Sequence, residues 1–209
     1  MRLTKHGHAC VRIEDDGAVL VIDPGSLTEP AALDGVDAVL ITHEHPDHLD
    51  VDALADALAR RPSVTVHTHP DVASKLDGIA DVVTTVRSGD RFSAAGFDIR
   101  AYGGWHAVIH PDLPRVVNLG FLVNDSVYHP GDSFDVPPDA EVDTLFVPVS
   151  GPWLKLAESV DFVRAVNPRR AYALHDGLLA EAGLTLVNTS LGRLVDCEYA
   201  RLTPGTAVD

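Results

Sequence analysis

Short apolar runs, each closed by turn-forming residues, are the repeating unit of this chain. Ala9–Glu14 and Ala18–Ile22 are two such runs, and Asp15-Asp16-Gly17 between them predicts a tight hairpin. Val36–Ile41, rich in β-branched and aliphatic residues, reads as a buried strand, and Val64–His67 as another. Val82–Val86 and Phe97–Tyr102 bracket the turn-rich Ser88-Gly89-Asp90. Val116–Val123 and Val127–His129 predict a hairpin about Asn124-Asp125-Ser126, and Thr144–Val149 and Ala171–Leu174 complete the strands. Elsewhere the period becomes helical. Asp50 suits an N-cap and Asp52 a first turn, Leu54 and Leu58 share a face, and Arg60-Arg61-Pro62 closes the helix. Asp71–Gly78 predicts a short helix, Ala157–Val166 a longer one, and a helical tail runs from Asn188 to about Tyr199. No linker or composition break divides these pieces, so residues 1–209 read as one domain.

The chemistry sits where the strands stop. Thr42-His43-Glu44-His45-Pro46-Asp47-His48-Leu49-Asp50 holds three histidines and an aspartate within six residues. Pro46 has no backbone donor, so this cluster belongs neither to a helix interior nor to a paired central strand. It presents imidazole and carboxylate on a turn, the donor set that zinc, manganese or iron takes. Four other strand ends carry similar groups: Asp23 in Asp23-Pro24-Gly25, His106 after Gly103-Gly104-Trp105, Asp132 in Pro130-Gly131-Asp132-Ser133, and His175 in His175-Asp176-Gly177. Taken singly, Asp23 is also a plain turn former, His106 a structural histidine, and Gly-Asp-Ser a commonplace turn. His67-Thr68-His69-Pro70-Asp71 partly echoes the histidine turn but lacks its final histidine, and reads as an ordinary strand-to-helix corner. His8 is either a partly buried histidine satisfied by backbone or a residue of a pocket rim, while His6 and His110 read as surface.

Composition removes several function classes. Hydrophobic residues make up 45% of the chain, ample for a core, and only 6% are aromatic, so aliphatic side chains do most of the packing. The net charge of −15 argues against nucleic acid and anionic membranes, whose phosphates need clustered lysine and arginine. No apolar run has the length of a signal peptide or a membrane span. Cys10 and Cys197 lie far apart with no CxxC partner and read as buried thiols, which points to a reducing cytoplasm.

In chain order these motifs acquire a joint meaning. His43-x-His45-x-Asp47-His48 resembles the HxHxDH signature of metallo-β-lactamase-fold hydrolases, and the later His106, Gly131-Asp132-Ser133 and His175 match that family's remaining motifs. Gly7-His8-Ala9-Cys10 and the small size look most like the branch related to ascorbate-6-phosphate lactonase. The resemblance implies an α+β, four-layer αββα sandwich. It also implies two adjacent divalent metal ions, the first on His43, His45 and His106, the second on Asp47, His48 and His175, with Asp132 bridging. Asp23 would orient ligand histidines from behind, with His8 and His129 in supporting positions. Three imidazoles favour zinc, and the oxygen-bearing second position also accepts manganese or iron. The implied activity is attack of a metal-bound hydroxide on a small-molecule ester, lactone or phosphoester, with Asp47 orienting the water and shuttling its proton. Trp105, Phe134 and Trp153 flank the metal turns as candidate pocket walls, with core packing the expected role of at least one. Two rival readings are a di-iron redox protein of the same fold and a non-enzymatic metal-dependent sensor or binding protein. The absent flavin domain and His48, where redox members favour an acid, weigh against the first; the complete set of seven ligands weighs against the second.

Overall fold

Each half of the chain builds one sheet, laid down strand beside strand. The computed structural model describes residues 1–209. In the first sheet β1 (Arg2–Lys5), β2 (Val11–Asp15), β3 (Ala18–Ile22), β4 (Ala38–Ile41), β5 (Thr65–Thr68) and β6 (Val83–Thr85) follow one another in chain order. The second takes β7 (Arg91–Ala94), β8 (Phe97–Gly103), β9 (Leu119–Val123), β10 (Val127–His129), β11 (Thr144–Pro148), β12 (Arg170–Leu174) and β13 (Glu198–Ala200) in the same way. A last short strand, β14 (Ala207–Val208), crosses back to pair with β1. The outer layers come from α1 (Val51–Arg60), α2 (Pro70–Ala73), α3 (Leu156–Val166) and α4 (Glu181–Leu194).

Pairing direction follows the connections. β1 to β3 and β7 to β10 are antiparallel meanders joined by short turns or loops. From β3 to β6 and from β10 to β13 the neighbours are parallel, and parallel strands need crossovers, most of which carry a helix. Side-chain alternation then sorts the core. Leu20 and Ile22 of β3 pack between the sheets with Phe121 and Phe146, while Val19 and Val21 face outward onto Leu54 and Leu58 of α1. In the second sheet Leu122, Leu145 and Val147 pack outward against Val160, Val163 and Leu191 of α3 and α4. The result is the expected αββα order. Each fully buried leucine or isoleucine contributes about 1.5–3 kcal/mol, so β3 and β4, buried on both faces, anchor the turns that follow them.

Several expectations need correction. The polar start of the chain hides β1, and His6, expected at the surface, is buried and hydrogen-bonded to Glu29 at 3.0 Å. The strand expected from Val116 begins at Leu119, because the preceding residues run alongside Gly104 and His106. The helix expected over Asp71–Gly78 stops at Ala73, and a separate 3-10 turn covers Asp77–Val82. The tail helix starts at Glu181 and ends at Leu194; Val195 is extended, and Glu198–Ala200 joins β12 as a strand. Cys10 is buried, Cys197 only partly so, and both are free thiols. No helix is long and apolar enough to cross a membrane.

Candidate metal centre

All the chemistry gathers at one edge of the sandwich. β4 delivers the histidine turn, β8 His106, β10 Asp132 and β12 His175. His8, Asp47, His48 and His175 bring one ligand atom each within 4.8 Å of one another, and so do His43, His45, His106 and Asp132. Asp132 lies at the centre. Its Oδ1 is 3.1 Å from His48 Nε2, and its Oδ2 is 3.1 Å from His175 Nε2 and 3.3 Å from His106 Nε2. Asp47 Oδ2 stands 3.3 Å from both His8 Nε2 and His175 Nε2.

The turns hold these groups by specific contacts. Two bonds fix Asp132 directly: Asn118 Oδ1 accepts its backbone N–H at 2.9 Å and Trp153 Nε1 donates to its Oδ2 at 3.1 Å, while Asn118 Nδ2 donates to Pro130 O and holds the turn before it. The backbone at Gly131 is left-handed (φ 61°), and a Cβ there would lie 2.2 Å from Asn118 Oδ1, so glycine lets this turn close. Asp23 and His175 also adopt positive φ, 53° and 59°, although neither is glycine. Such backbone costs energy and persists where surrounding contacts impose it.

Orientation of the imidazoles comes from behind. Thr42 donates to Asp23 through its N–H (2.8 Å) and its hydroxyl (2.6 Å), and that hydroxyl oxygen accepts from His43 Nδ1 at 2.9 Å. His48 Nδ1 donates to Asp23 Oδ2 at 2.7 Å, and His106 Nδ1 to Ala107 O at 2.5 Å. Each contact puts a ring proton on Nδ1 and turns Nε2 toward Asp132. Asp23 thus lies behind His48 directly and behind His43 through Thr42. His129 makes no hydrogen bond to the candidate ligand side chains: Nε2 donates to Ala9 O and Nδ1 accepts from Gly131 N–H, so it braces the turn before Asp132.

Burial and charge pull the cluster's titrations apart. Burial alone would raise the Asp132 carboxyl, yet His48, His106 and His175 around it hold it well below the usual range. Burial pushes His43 well below an ordinary histidine. For His48 burial works in the same direction but is outweighed by Asp132 and Asp23, which raise it well above.

The donor set fits metal ions. Apart from His67 Nδ1, every buried side-chain polar atom lacking a hydrogen-bond partner belongs to this cluster: His8 Nε2, His48 Nε2, His106 Nε2, Asp132 Oδ1 and both nitrogens of His175. Buried polar atoms are otherwise almost always paired, and a divalent cation among them would satisfy the lone pairs of His48 Nε2, His106 Nε2, His175 Nε2 and Asp132 Oδ1. Of the candidate ligands, solvent reaches His45 and Asp47, the latter with 27% of its side chain exposed. The His67–Asp71 corner takes no part: His67 bonds Thr65 and stacks on Phe92, and His69 caps α2.

The three aromatic candidates differ. Trp153 is buried over the rings of His106 and His175, Phe134 packs between Trp153 and Phe162, and Trp105 is 55% exposed beneath Arg115. His110 is exposed, as expected. Asn118, Thr42 and the Trp153 donor escaped the sequence reading, although a lone amide inside an apolar run is a visible signal. Behind His175, buried Lys5 and Arg201 both pair with Asp176, tying β1 and the C-terminal segment to the end of β12.

Comparison with known proteins agrees with this architecture. Residues 2–175 match the model of the β-lactamase superfamily domain. Protein Rv0786c of Mycobacterium tuberculosis is 36% identical over 214 residues, covering 100% of this chain and 99% of that one. A protein of Carboxydothermus hydrogenoformans described as a UPF0173 metal-dependent hydrolase is 28% identical over 193 residues, 84% of each chain. Among solved structures, Igni18, a metallo hydrolase from Ignicoccus hospitalis, superposes with a TM-score of 0.76 at 19% identity over 99% of this chain and 97% of its own. With its paired sheets, edge-mounted ligands and a family model spanning β1 to His175, the chain belongs to the β-lactamase superfamily, on the metal-dependent side with the metallo-β-lactamase fold.

Proposed function

We propose that the chain hydrolyses a small molecule bearing an ester, lactone or phosphoester bond, using two divalent metal ions held around Asp132. The observation that carries this reading is the convergence of buried, unpartnered ring nitrogens on that single carboxylate. The descriptions of the Carboxydothermus relative as a metal-dependent hydrolase and of Igni18 as a metallo hydrolase support it. His43, His45 and His106 would hold one ion and Asp47, His48 and His175 the other, with Asp132 between the two sets. Zinc suits the first position; manganese or iron is also acceptable at the second. Bound ions supply Lewis acidity and lower the pKa of water toward about 7.

The chain's own residues direct that chemistry. Burial acts to raise the Asp47 carboxyl, but His175 and His8 hold it far below the usual range, so it stays ionised. Partly exposed, it would orient the incoming water and shuttle its proton. Trp105, Val108 and Ile109 expose apolar surface on the segment carrying His106. Arg115 on that segment donates twice to His106 O and lies over Trp105, which occupies the cation a phosphate would seek. A neutral ester or lactone therefore suits this rim better than a phosphoester, consistent with a lactonase-like branch. The strongly acidic surface disfavours polyanionic partners.

Elemental analysis of gently purified protein, beside His45→Ala and Asp132→Ala, tests the reading. About two equivalents of zinc or manganese are expected in the parent. Asp132→Ala should stay folded, bind at most one ion tightly, and lose activity by about 100-fold or more in a lactone, ester and phosphoester screen. An Asp132→Ala protein with both ions and full activity overturns the bridging role. Predominant iron with a redox signal brings the di-iron reading forward, and failure to bind metal after reconstitution removes the hydrolase mechanism.

A further inference from the structure

His8 sits among the ligands, and distance alone does not say what it does. Its Nε2 lies 3.3 Å from Asp47 Oδ2, and its ring centroid 3.9 Å from that of His175. It is 1% exposed, and Nε2 has no partner that meets hydrogen-bond geometry. By position it completes a four-ligand set with Asp47, His48 and His175. A zinc site closed by protein ligands is structural in character, whereas a catalytic one keeps a place for solvent or substrate. The role of His8 therefore bears directly on what this edge can do.

The far side of the ring answers the question. Gly177 N–H donates to His8 Nδ1 at 2.9 Å. A neutral imidazole whose Nδ1 accepts a hydrogen bond carries its proton on Nε2. To ligate a metal through Nε2, His8 would need its proton on Nδ1, pointing at an amide that is itself a donor. His43, His48 and His106 show the opposite arrangement, with an acceptor behind each Nδ1. The amide is built into its place: His8 O accepts from His175 N–H at 2.9 Å, and a Cβ on Gly177 would lie 3.0 Å from His8 Nδ1.

We propose that His8 is a hydrogen-bond donor that positions Asp47 and is not a metal ligand. Its Nε2–H would close the 3.3 Å gap to Asp47 Oδ2 into a hydrogen bond and hold that oxygen toward the second metal position. The coordination place that His8 would fill stays open for water or substrate. The proposal rests on the cluster binding metal and not on what is hydrolysed.

Two measurements decide it without an activity assay. In a long-range proton–nitrogen spectrum of zinc-loaded, histidine-labelled protein, His8 should be the Nε2–H tautomer with an unprotonated Nδ1. A proton on Nδ1 with a metal-shifted Nε2 overturns the proposal. Zinc competition with a chelator then compares His8→Phe, which keeps the ring but has no donor, with His8→Gln, whose amide reaches the Nε2 position. The second zinc should bind about tenfold or more weakly in His8→Phe and within about threefold of the parent in His8→Gln. Equal losses in both variants, or none in either, overturn it. Should the protein bind two zinc ions and hydrolyse nothing in the screen, the functional reading fails while both of these results still stand.

Discussion

Thr42 shows how much of the site depends on a residue that binds nothing itself. Its amide and hydroxyl occupy both oxygens of Asp23, its hydroxyl oxygen receives His43, and its carbonyl accepts Leu119 N–H from the opposite sheet at 2.9 Å. Thr42→Val keeps the shape and removes the hydroxyl. Urea unfolding should then show a loss of about 1–3 kcal/mol, and chelator competition should show the first zinc weakened about 10–100-fold. Parent-like zinc affinity would mean that packing alone sets the His43 ring. At this scale the ligand turn was legible because its donors are contiguous and Pro46 bars the regular alternatives. His8 was not, because its proton is assigned by Gly177, 169 residues away. Nor was Lys5, whose neighbours in sequence give no hint of Asp176. Burial lowers its pKa, against the opposing pull of that carboxylate.

At the scale of elements, the loop after β3 and the loop after β4 act as one piece. Asp50 N–H bonds Pro24 O, Ser26 N–H bonds Pro46 O, and a Cβ on Gly25 would fall 2.0 Å from the Asp47 carbonyl and 2.4 Å from His48 N. Both obstacles are backbone, so Gly25→Ala has to push the metal turn away. We expect about 3 kcal/mol of destabilisation or more, with the second metal position, on Asp47 and His48, lost before the first. A variant with parent stability and two tight ions would show that the turn yields without cost. Strands with strong apolar runs and the capped helix α1 were legible in the sequence. The weaker elements were not. β7 and β13 are short, largely exposed strands, and α4 carries Gly183 near a start that its apolar spacing does not mark.

At the scale of the molecule, the first sheet contributes His43, His45, Asp47 and His48, and the second contributes His106, Asp132 and His175. An ion bound between them favours the docked state over any state with the sheets apart. Zinc at 1,000 times its Kd should therefore add about 4 kcal/mol of stability, seen as a rise in Tm that a chelator reverses. An unchanged Tm with zinc demonstrably bound would mean that the unfolded chain holds the ions as tightly as the folded one. The four-layer order was legible through the family resemblance more than through periodicity, since alternation identifies strands without saying which of them share a sheet.

Because chain order and sheet order coincide, a cut near Ser88-Gly89 would leave two pieces that are each nearly a whole sheet, with only β14 crossing between them. Each piece would carry half a chelator. Reassociation of the pieces and completion of the metal site would then be one event, so the fold is laid out as a two-part complementation system whose common ligand is the ion.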